Sequence, residues 1–216
     1  MSTPRPLASS STAGELAQWV TEWSERYPFG YDDVLTPITR PPAKAFDLDE
    51  LITIYRWKLG DQWKKVRIDE LRAHHVALPT AIATATSAAF AAASDAAALA
   101  ALIPIPGMKN SKLAAVRSTV LMVADPDRWS PSDKMANKSV VMLRDRLAPR
   151  TINPADPLHK LVVLLGQFRP VPDSKGGYPA CAADWPTYMA CCREISRITW
   201  LSLRTVDRAL YEARGR

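Results

Sequence analysis

The sequence predicts an all-α protein, and three observations support this fold class. Apolar residues recur at helical spacing along the chain, and no alternating run rich in Val and Ile occurs. Only 8 of the 216 residues are Gly, whereas 18 are Pro. The Pro clusters mark helix boundaries, because Pro disfavours helical conformation in the residue before it. The length suits one domain, or one domain in two lobes. We expect that domain over 14–216, after a disordered arm at 1–13 that is rich in Pro, Ser and Thr.

Two helices are predicted in the first sixty residues. The first runs from about residue 14 to 26, with an apolar face made of Leu16, Trp19, Val20 and Trp23. A loop at 28–46 follows. Asp47 then begins the second helix and can form a capping box with Glu50. Gly60 is expected as the C-cap of this helix.

The next segment is predicted to form three helices. The first covers 61–75 and carries a basic side made of Lys64, Lys65, Arg67 and Arg72. That side is either an ordinary solvated face or a DNA contact. Residues 79–102 are dominated by Ala and are expected to form two closely packed helices, with a break near Ser94 and Asp95 capping the second.

Residues 104–134 are the segment around which the rest of the chain is organised. Pro104 to Gly107 form a turn signal, and Met108 to Ser111 complete a short polar hairpin. A helix is expected from about Ser111 to Asp125, where Pro126 ends it. After a second turn, Ser132 or Asp133 is placed to cap the next helix.

Three helices are predicted in the remaining chain. Residues 158–168 are the most apolar segment and are expected to be a core helix. A loop at 169–184 separates it from a helix that starts at Asp184 or Trp185, with Pro186 in its first turn. Ser202 is expected to cap the last helix.

The basic composition suits a polyanionic partner, although a merely soluble basic protein fits it equally well, and several classes of site are not expected. The formal net charge is +6. Nine Lys or Arg residues and four Asp or Glu residues lie between Pro104 and Arg150, a local excess of five positive charges. The three Cys residues, two of them adjacent, give neither a disulfide framework nor a metal-ligand spacing, so we expect a reducing cytoplasm. His74 and His75 also lack partners at metal spacing, so no metal is expected. No apolar run approaches the roughly eighteen residues of a membrane span.

Motifs in the central segment resemble those of the helix-hairpin-helix DNA glycosylases, in particular the 8-oxoguanine DNA glycosylase branch. They are Ile105-Pro106-Gly107, then Lys112-Leu113-Ala114, and Asp133 about twenty residues later. Two further stretches, Tyr55 to Leu59 and Trp185 to Leu210, are similar to parts of a bacterial group related to these enzymes. The resemblance therefore extends over most of the chain. It implies a two-lobed helical domain with a helix-hairpin-helix DNA-binding element.

The resemblance also implies roles for individual residues. By position, Lys112 matches the nucleophile that attacks the sugar C1′ atom, and Asp133 matches the Asp that assists it. The hairpin would contact the DNA backbone through Gly107, Lys109, Asn110 and Ser111, and Lys138 would add a further contact. Trp129, in the turn before Asp133, is a candidate for stacking on the extruded base. We expect no cofactor and a monomer that binds duplex DNA.

These residue types suit the removal of a base from DNA. The transition state puts positive charge on the sugar, which a carboxylate such as that of Asp133 stabilises. An amine such as that of Lys112 can trap the sugar carbon covalently, but only in its neutral form. A helix N-terminus and desolvation favour that form, whereas DNA phosphates oppose it. Monofunctional excision and excision with strand cleavage through a Lys Schiff base both remain open.

Two other functions remain open. The chain could be a DNA-binding module without catalysis, because Lys109 occupies the position where the family hairpin usually carries a second Gly. A weaker alternative is a helical protein-interaction domain, which would show no salt-dependent affinity for DNA. The family implies oxidised guanine as the target, but alkylated bases in repair and modified bases of phage DNA in defence are equally open.

Overall fold

The chain folds into α-helices joined by turns and loops. The computed structural model describes residues 7–8, 11–39, 44–109, 114–147 and 153–214, and no strand occurs among them. The helices are α1 (Ala13–Ser24), α2 (Leu48–Lys58), α3 (Asp61–Ala77), α4 (Ala81–Phe90), α5 (Asp95–Ala101), α6 (Ala114–Ala124), α7 (Lys134–Leu147), α8 (His159–Gln167), α9 (Trp185–Thr199) and α10 (Leu203–Ala213), with a short 3-10 helix at Thr36–Ile38. The prediction of an all-α protein is confirmed.

The chain divides into two compact units. The first unit takes its described residues from Met1–Pro28, Ser132–Ala180 and Pro186–Arg216. The second takes them from Phe29–Pro131 and Cys181–Trp185.

The first unit is built around α10. This helix packs against α1 and α7. Helix α8 in turn packs against α7. The apolar face of α1 is buried, as its helical spacing predicts. The hydroxyl of Ser139 on α7 donates a hydrogen bond of 2.6 Å to the carbonyl oxygen of Leu210 on α10. Apolar burial and this buried polar contact together fix the pairing of the two helices.

The second unit is built around α6. Nearly every residue of α6 is buried, and α2, α4 and α5 all pack against it. A helix that is buried on all sides is stable only when neighbours surround it. The two Ala-rich helices α4 and α5 pack against each other as well. Because their side chains are small, close helix approach replaces large side chains as the source of packing here.

Most predicted helix ends agree with the structure, and three details differ. The capping box of Asp47 with Glu50 is present, and Ser202 caps α10. Gly60 does not end α2, because Leu59 is the C-cap and Gly60 instead stands before the first residue of α3. The break in the Ala-rich segment is capped by Ser94 rather than Asp95, since the Ser94 hydroxyl is close enough to accept from the Ala97 amide.

The third difference concerns the segment predicted as a core helix at 158–168. The structure forms α8 there, but only one of its faces is buried, through Leu161 and Leu165. Val163 on another face is 47% exposed. The prediction of a core helix, made from the apolar composition of this segment, therefore overestimated how much of the helix is buried.

A tight turn joins α9 to α10. Trp200 lies in this turn with a φ of 58°, a left-handed conformation that is rare for a bulky residue. The hydroxyl of Ser196 donates a hydrogen bond of 2.6 Å to the carbonyl oxygen of Leu201 and holds the turn closed. The ring of Trp200 is 92% exposed. The turn thus presents a large apolar side chain to solvent on a strained backbone.

None of the helices in the described ranges combines the length and the apolar character that crossing a membrane requires.

Candidate functional site

Residues 102–109, which follow α5 and are called the turn segment below, form consecutive tight turns in the second unit. The amide of Ile105 donates to the carbonyl oxygen of Leu102 at 3.1 Å, and the amide of Met108 donates to that of Ile105 at 3.0 Å. Ile105 and Met108 have no exposed surface. These two side chains therefore anchor the segment, while Lys109 at its end is exposed. The turn predicted from Pro104 to Gly107 is confirmed.

Gly107 is required at its position for two reasons. Its backbone φ is +80°, which residues other than Gly rarely adopt. A Cβ atom there would lie 3.2 Å from Cδ of Arg67 and 3.5 Å from the hydroxyl oxygen of Tyr55. The turn can approach α2 and α3 this closely only because residue 107 has no side chain.

Tyr55 of α2 holds this turn from the other side. Its hydroxyl donates a hydrogen bond of 2.7 Å to the carbonyl oxygen of Pro106. Burial raises the pKa of the Tyr55 hydroxyl well above its usual value, although the charge of Arg67 acts in the opposite direction. The hydroxyl therefore keeps its proton, and its ability to donate, over the whole physiological pH range.

Three of the predicted site residues lie outside the described residues. They are Asn110, Ser111 and Lys112, the last of which was predicted to be the nucleophile. Of the predicted hairpin contacts, Gly107 and Lys109 are described. The roles of all five remain predictions.

A groove separates the turn segment from α3. It has a volume of about 590 Å³ and is lined by Arg67, Glu70, Ala73, His74, Pro104, Pro106, Gly107 and Lys109. Both Gly107 and Lys109, the described hairpin residues, thus border one concave surface. Sequence analysis placed Arg67 on a basic helix side but gave no sign that this side would face the turn.

Asp133 lies in the first unit, where it caps α7. One of its carboxylate oxygens accepts hydrogen bonds from the amides of Met135 at 2.8 Å and Ala136 at 2.9 Å. Of the two predicted N-caps, Asp133 is therefore the residue that caps α7. The buried Ser132 hydroxyl instead donates to the side-chain oxygen of Asn137 at 2.9 Å. The carboxylate is half-buried. Its orientation is set by the helix backbone, where an anion is favoured.

A loop packs beside this end of α7. The carboxylate of Asp173 lies 3.4 Å from Nζ of Lys134. Amides of Gly177 and Lys175 donate to the same carboxylate and hold the pKa of Asp173 below its usual value. The side chain of Asn137 also donates to the carbonyl oxygen of Tyr178 at 3.1 Å. Lys138, one turn after Lys134, is exposed. The Asp133 carboxylate that caps α7 therefore lies in a polar surface, and Lys134 and Lys138 are close to it in sequence.

Trp129 does not fit the predicted role of stacking on a base. Its ring has no exposed surface and lies 6.3 Å from the ring of Phe90, measured between centroids. The guanidinium of Arg128 lies over the Trp129 ring, 4.2 Å from its centroid, and donates to the carbonyl oxygens of Phe90 and Ala92. Trp129 is thus part of the core of the second unit. Its place next to a polar turn in the sequence suggested exposure that the fold does not give it.

Arg117 was not identified from the sequence. It lies on α6, is only 2% exposed, and donates to the carbonyl oxygen of Leu99 at 3.1 Å. No acidic side chain pairs with it among the described residues. Burial lowers the pKa of Arg117. A buried cation without a carboxylate is costly, and such groups are frequent near functional sites.

The predicted site residues fall into the two units: Gly107, Lys109 and Trp129 in the second, and Asp133 and Lys138 in the first. Comparison with known proteins found no matching family model, no matching curated protein and no matching solved structure. Any function must therefore be argued from the residues themselves. In the described part of the chain, no group of three His, Cys, Asp or Glu side chains is arranged to hold a metal ion.

Proposed function

We propose that this protein is a DNA glycosylase that excises a damaged or modified base, built on a two-lobed helix-hairpin-helix fold. The observation that carries the proposal is the geometry of Asp133. Two backbone amides of α7 orient its half-buried carboxylate, and it follows a Lys112 motif at the spacing that resembles the glycosylase family. A carboxylate fixed in this way suits the stabilisation of a sugar cation, because its position needs no rearrangement during the reaction.

In the proposed reaction, the target base leaves the DNA stack and the bond between its nitrogen and the sugar C1′ breaks. The departing base takes the bonding electron pair, and the sugar acquires positive charge that Asp133 opposes. The sugar carbon is then captured either by the neutral amine of Lys112 or by water. Capture by Lys112, loss of a proton from its nitrogen and opening of the C1′–O4′ bond give a Schiff base, from which elimination of the 3′ phosphate cleaves the strand; capture by water gives base removal alone.

DNA contact is assigned to the turn segment and to the start of α7. Lys109 and Lys138 are exposed cations, and the backbone amide of Gly107 is a further predicted contact to phosphate. The net charge of +6 supports a polyanionic partner. We place the protein, as a monomer, in the reducing cytoplasm, in agreement with its three free cysteines.

The test is an excision assay with a panel of duplexes. Each duplex carries one oxidised, alkylated or phage-type modified base, and alkali converts every abasic site into a strand break. We expect strand breaks with at least one modified base. Asp133→Asn should keep the cap, because Asn caps about as well as Asp, but should lower excision by orders of magnitude. The matched control is Asp125→Asn, since the Asp125 carboxylate also accepts from two backbone amides.

Lys112→Gln separates the two chemistries. Trapping of a covalent complex by borohydride should disappear in this variant. A large loss of excision assigns Lys112 as the nucleophile, whereas a small loss assigns a monofunctional reaction in which Asp133 acts with water. Excision by Asp133→Asn at the rate of the parent protein would overturn the catalytic assignment.

A DNA-binding module without catalysis is the second candidate. The observation that favours it is Lys109, an exposed residue at the position of the second hairpin Gly in the glycosylase family. This candidate expects tight, salt-dependent binding to DNA and no strand break with any base in the panel. The same panel also decides between repair and defence, according to whether ordinary lesions or phage-type modifications are removed.

A further inference from the structure

The groove between α3 and the turn segment has the features of a binding site. Its volume of about 590 Å³ falls within the range of roughly 300–1,000 Å³ that small-molecule sites occupy. Apolar walls are formed by Pro104, Pro106 and Ala73, and polar groups border them. The space is larger than a single phosphate requires and is sufficient for a phosphate with its attached sugar or base.

One face of α3 supplies the polar side of the groove. Arg67, Glu70 and His74 are spaced by three and four residues, so their side chains lie above one another on the helix. The guanidinium of Arg67 is paired with the carboxylate of Glu70 at 2.7 Å. Both groups are partly exposed, at 29% and 42% of their side-chain surface. Glu70 therefore holds Arg67 in place without removing it from solvent.

The turn segment supplies the second cation. Lys109 is exposed and borders the same groove as Arg67. A Cβ atom on Gly107 would lie 3.2 Å from Cδ of Arg67, so the backbone of the turn runs close to the arginine side chain. Within the described residues, the buried Nε2 atom of His74 has no hydrogen-bond partner. That atom has almost no accessible surface, so the contacts available to a ligand come from Arg67 and Lys109 instead.

We propose that this groove binds one nucleotide unit of a DNA strand, with its phosphate held by Arg67 and Lys109 and its sugar or base against Pro104 and Pro106. This inference rests on the DNA partner of the proposed function and extends the contact from the hairpin to α3. When the phosphate enters, the guanidinium of Arg67 gives up its hydrogen bond to Glu70 and donates to the phosphate instead. A guanidinium can make two parallel hydrogen bonds to phosphate oxygens, which suits it to this exchange.

The charges of the groove favour this occupant. The groove is lined by two cationic side chains, Arg67 and Lys109, and by one carboxylate, that of Glu70. The Glu70 carboxylate is already paired with Arg67. Glu70 therefore competes with the incoming phosphate for Arg67. Removal of the Glu70 charge should strengthen binding, an effect opposite to that of removing Arg67.

The experiment uses the full chain and a fluorescent duplex, with affinity measured by anisotropy over a range of salt concentrations. Arg67→Gln should weaken binding about five- to tenfold and reduce the salt slope by about one, as expected for one lost phosphate contact. Glu70→Gln should tighten binding severalfold. Arg67→Lys should keep the salt slope, because the charge remains.

A neighbouring ion pair on α3 provides matched controls. Arg72 pairs with Asp69 at 3.7 Å with the same spacing of three residues, but neither residue borders the groove. Arg72→Gln and Asp69→Asn change the charge of the helix by the same amounts and should change affinity less than twofold. Circular dichroism of each variant confirms that the fold is retained.

Equal effects of Arg67→Gln and Arg72→Gln would overturn the inference and leave only a general electrostatic attraction. Loss of affinity specific to Arg67 in a protein that excises no base would support the groove and refute the glycosylase. Base excision with no specific effect of Arg67 or Glu70 would refute the groove and leave the glycosylase intact.

Discussion

The hydroxyl of Tyr55 and the carbonyl oxygen of Pro106 are joined by a hydrogen bond of 2.7 Å, which ties the turn segment to α2. Tyr55→Phe removes this bond and leaves the Pro106 carbonyl without its donor. We expect a loss of about 1–2 kcal/mol in the free energy of unfolding, because an unsatisfied, partly buried carbonyl is costly. Denaturant unfolding measures this loss. DNA affinity should fall as well, because the turn would no longer be held beside α3.

The contrasting variant for this prediction is Tyr27→Phe. Tyr27 lies in the first unit, where its hydroxyl accepts a hydrogen bond from Arg204. This variant should affect stability without affecting DNA affinity. Equal loss of affinity in both variants would show that the contact of Tyr55 with Pro106 has no specific part in DNA binding.

The exposed lysines predicted to contact DNA give a second test. Lys109→Glu combined with Lys138→Glu should weaken binding to all DNA sequences alike and flatten the salt dependence, since contacts to phosphate carry no sequence information. Lys44→Glu combined with Arg169→Glu makes the same charge change at two other exposed positions. If both double variants lose the same affinity, the effect is one of net charge and not of the proposed interface.

Trp200 gives a prediction about stability. Its positive φ is unfavourable for any residue with a side chain, and its ring is almost fully exposed. Trp200→Gly should therefore stabilise the protein by about 1 kcal/mol, which corresponds to a rise of roughly 2–4 °C in Tm for a chain of this size. Trp200→Ala is the control, because it removes the ring but keeps Cβ. If the Trp200→Gly and Trp200→Ala variants have the same Tm, backbone strain at this turn is negligible.

Stability should also depend on Cys191 at alkaline pH. Burial raises the pKa of the Cys191 thiol from 9.0 to about 12. The native thiol therefore keeps a proton that the unfolded chain loses above pH 9. This contribution to stability is fully present below pH 9 and is lost as the pH rises towards 12. The expected slope is about 1.4 kcal/mol per pH unit.

Comparison of the parent protein with Cys191→Ala isolates this effect. The difference in free energy of unfolding between the two should be constant at neutral pH and should narrow above pH 9. A constant difference for Cys191→Ala up to pH 11 would contradict the burial of its thiol.

The sequence predicted the helices because their apolar spacing and caps are local features. Asp47 and Glu50 are three residues apart, and their capping box needs nothing from the rest of the fold. The same holds for Asp133, whose cap follows from the residues that come directly after it. The pairing of Tyr55 with Pro106 spans 51 residues and depends on how α2 packs against the turn. Sequence spacing contains no information on such a contact.

Burial was the property that the sequence predicted least well. Trp129 follows a polar turn yet is enclosed, and Arg117 is enclosed although it is charged. In both cases the decisive factor is the set of neighbours that tertiary packing supplies, which helical periodicity does not specify. The groove beside α3 was not predicted for the same reason, because its two walls are at least thirty residues apart in the chain.

The three cysteines differ in burial, so the rates at which their thiols react report on local opening of the native protein. Cys181 is partly exposed and belongs to the second unit, whereas Cys191 and Cys192 are buried on α9 in the first. A thiol reagent should modify Cys181 quickly in the folded protein. It should modify Cys191 and Cys192 only after α9 becomes exposed to solvent. The slow phase then gives the rate at which the first unit opens, without any substitution or added label.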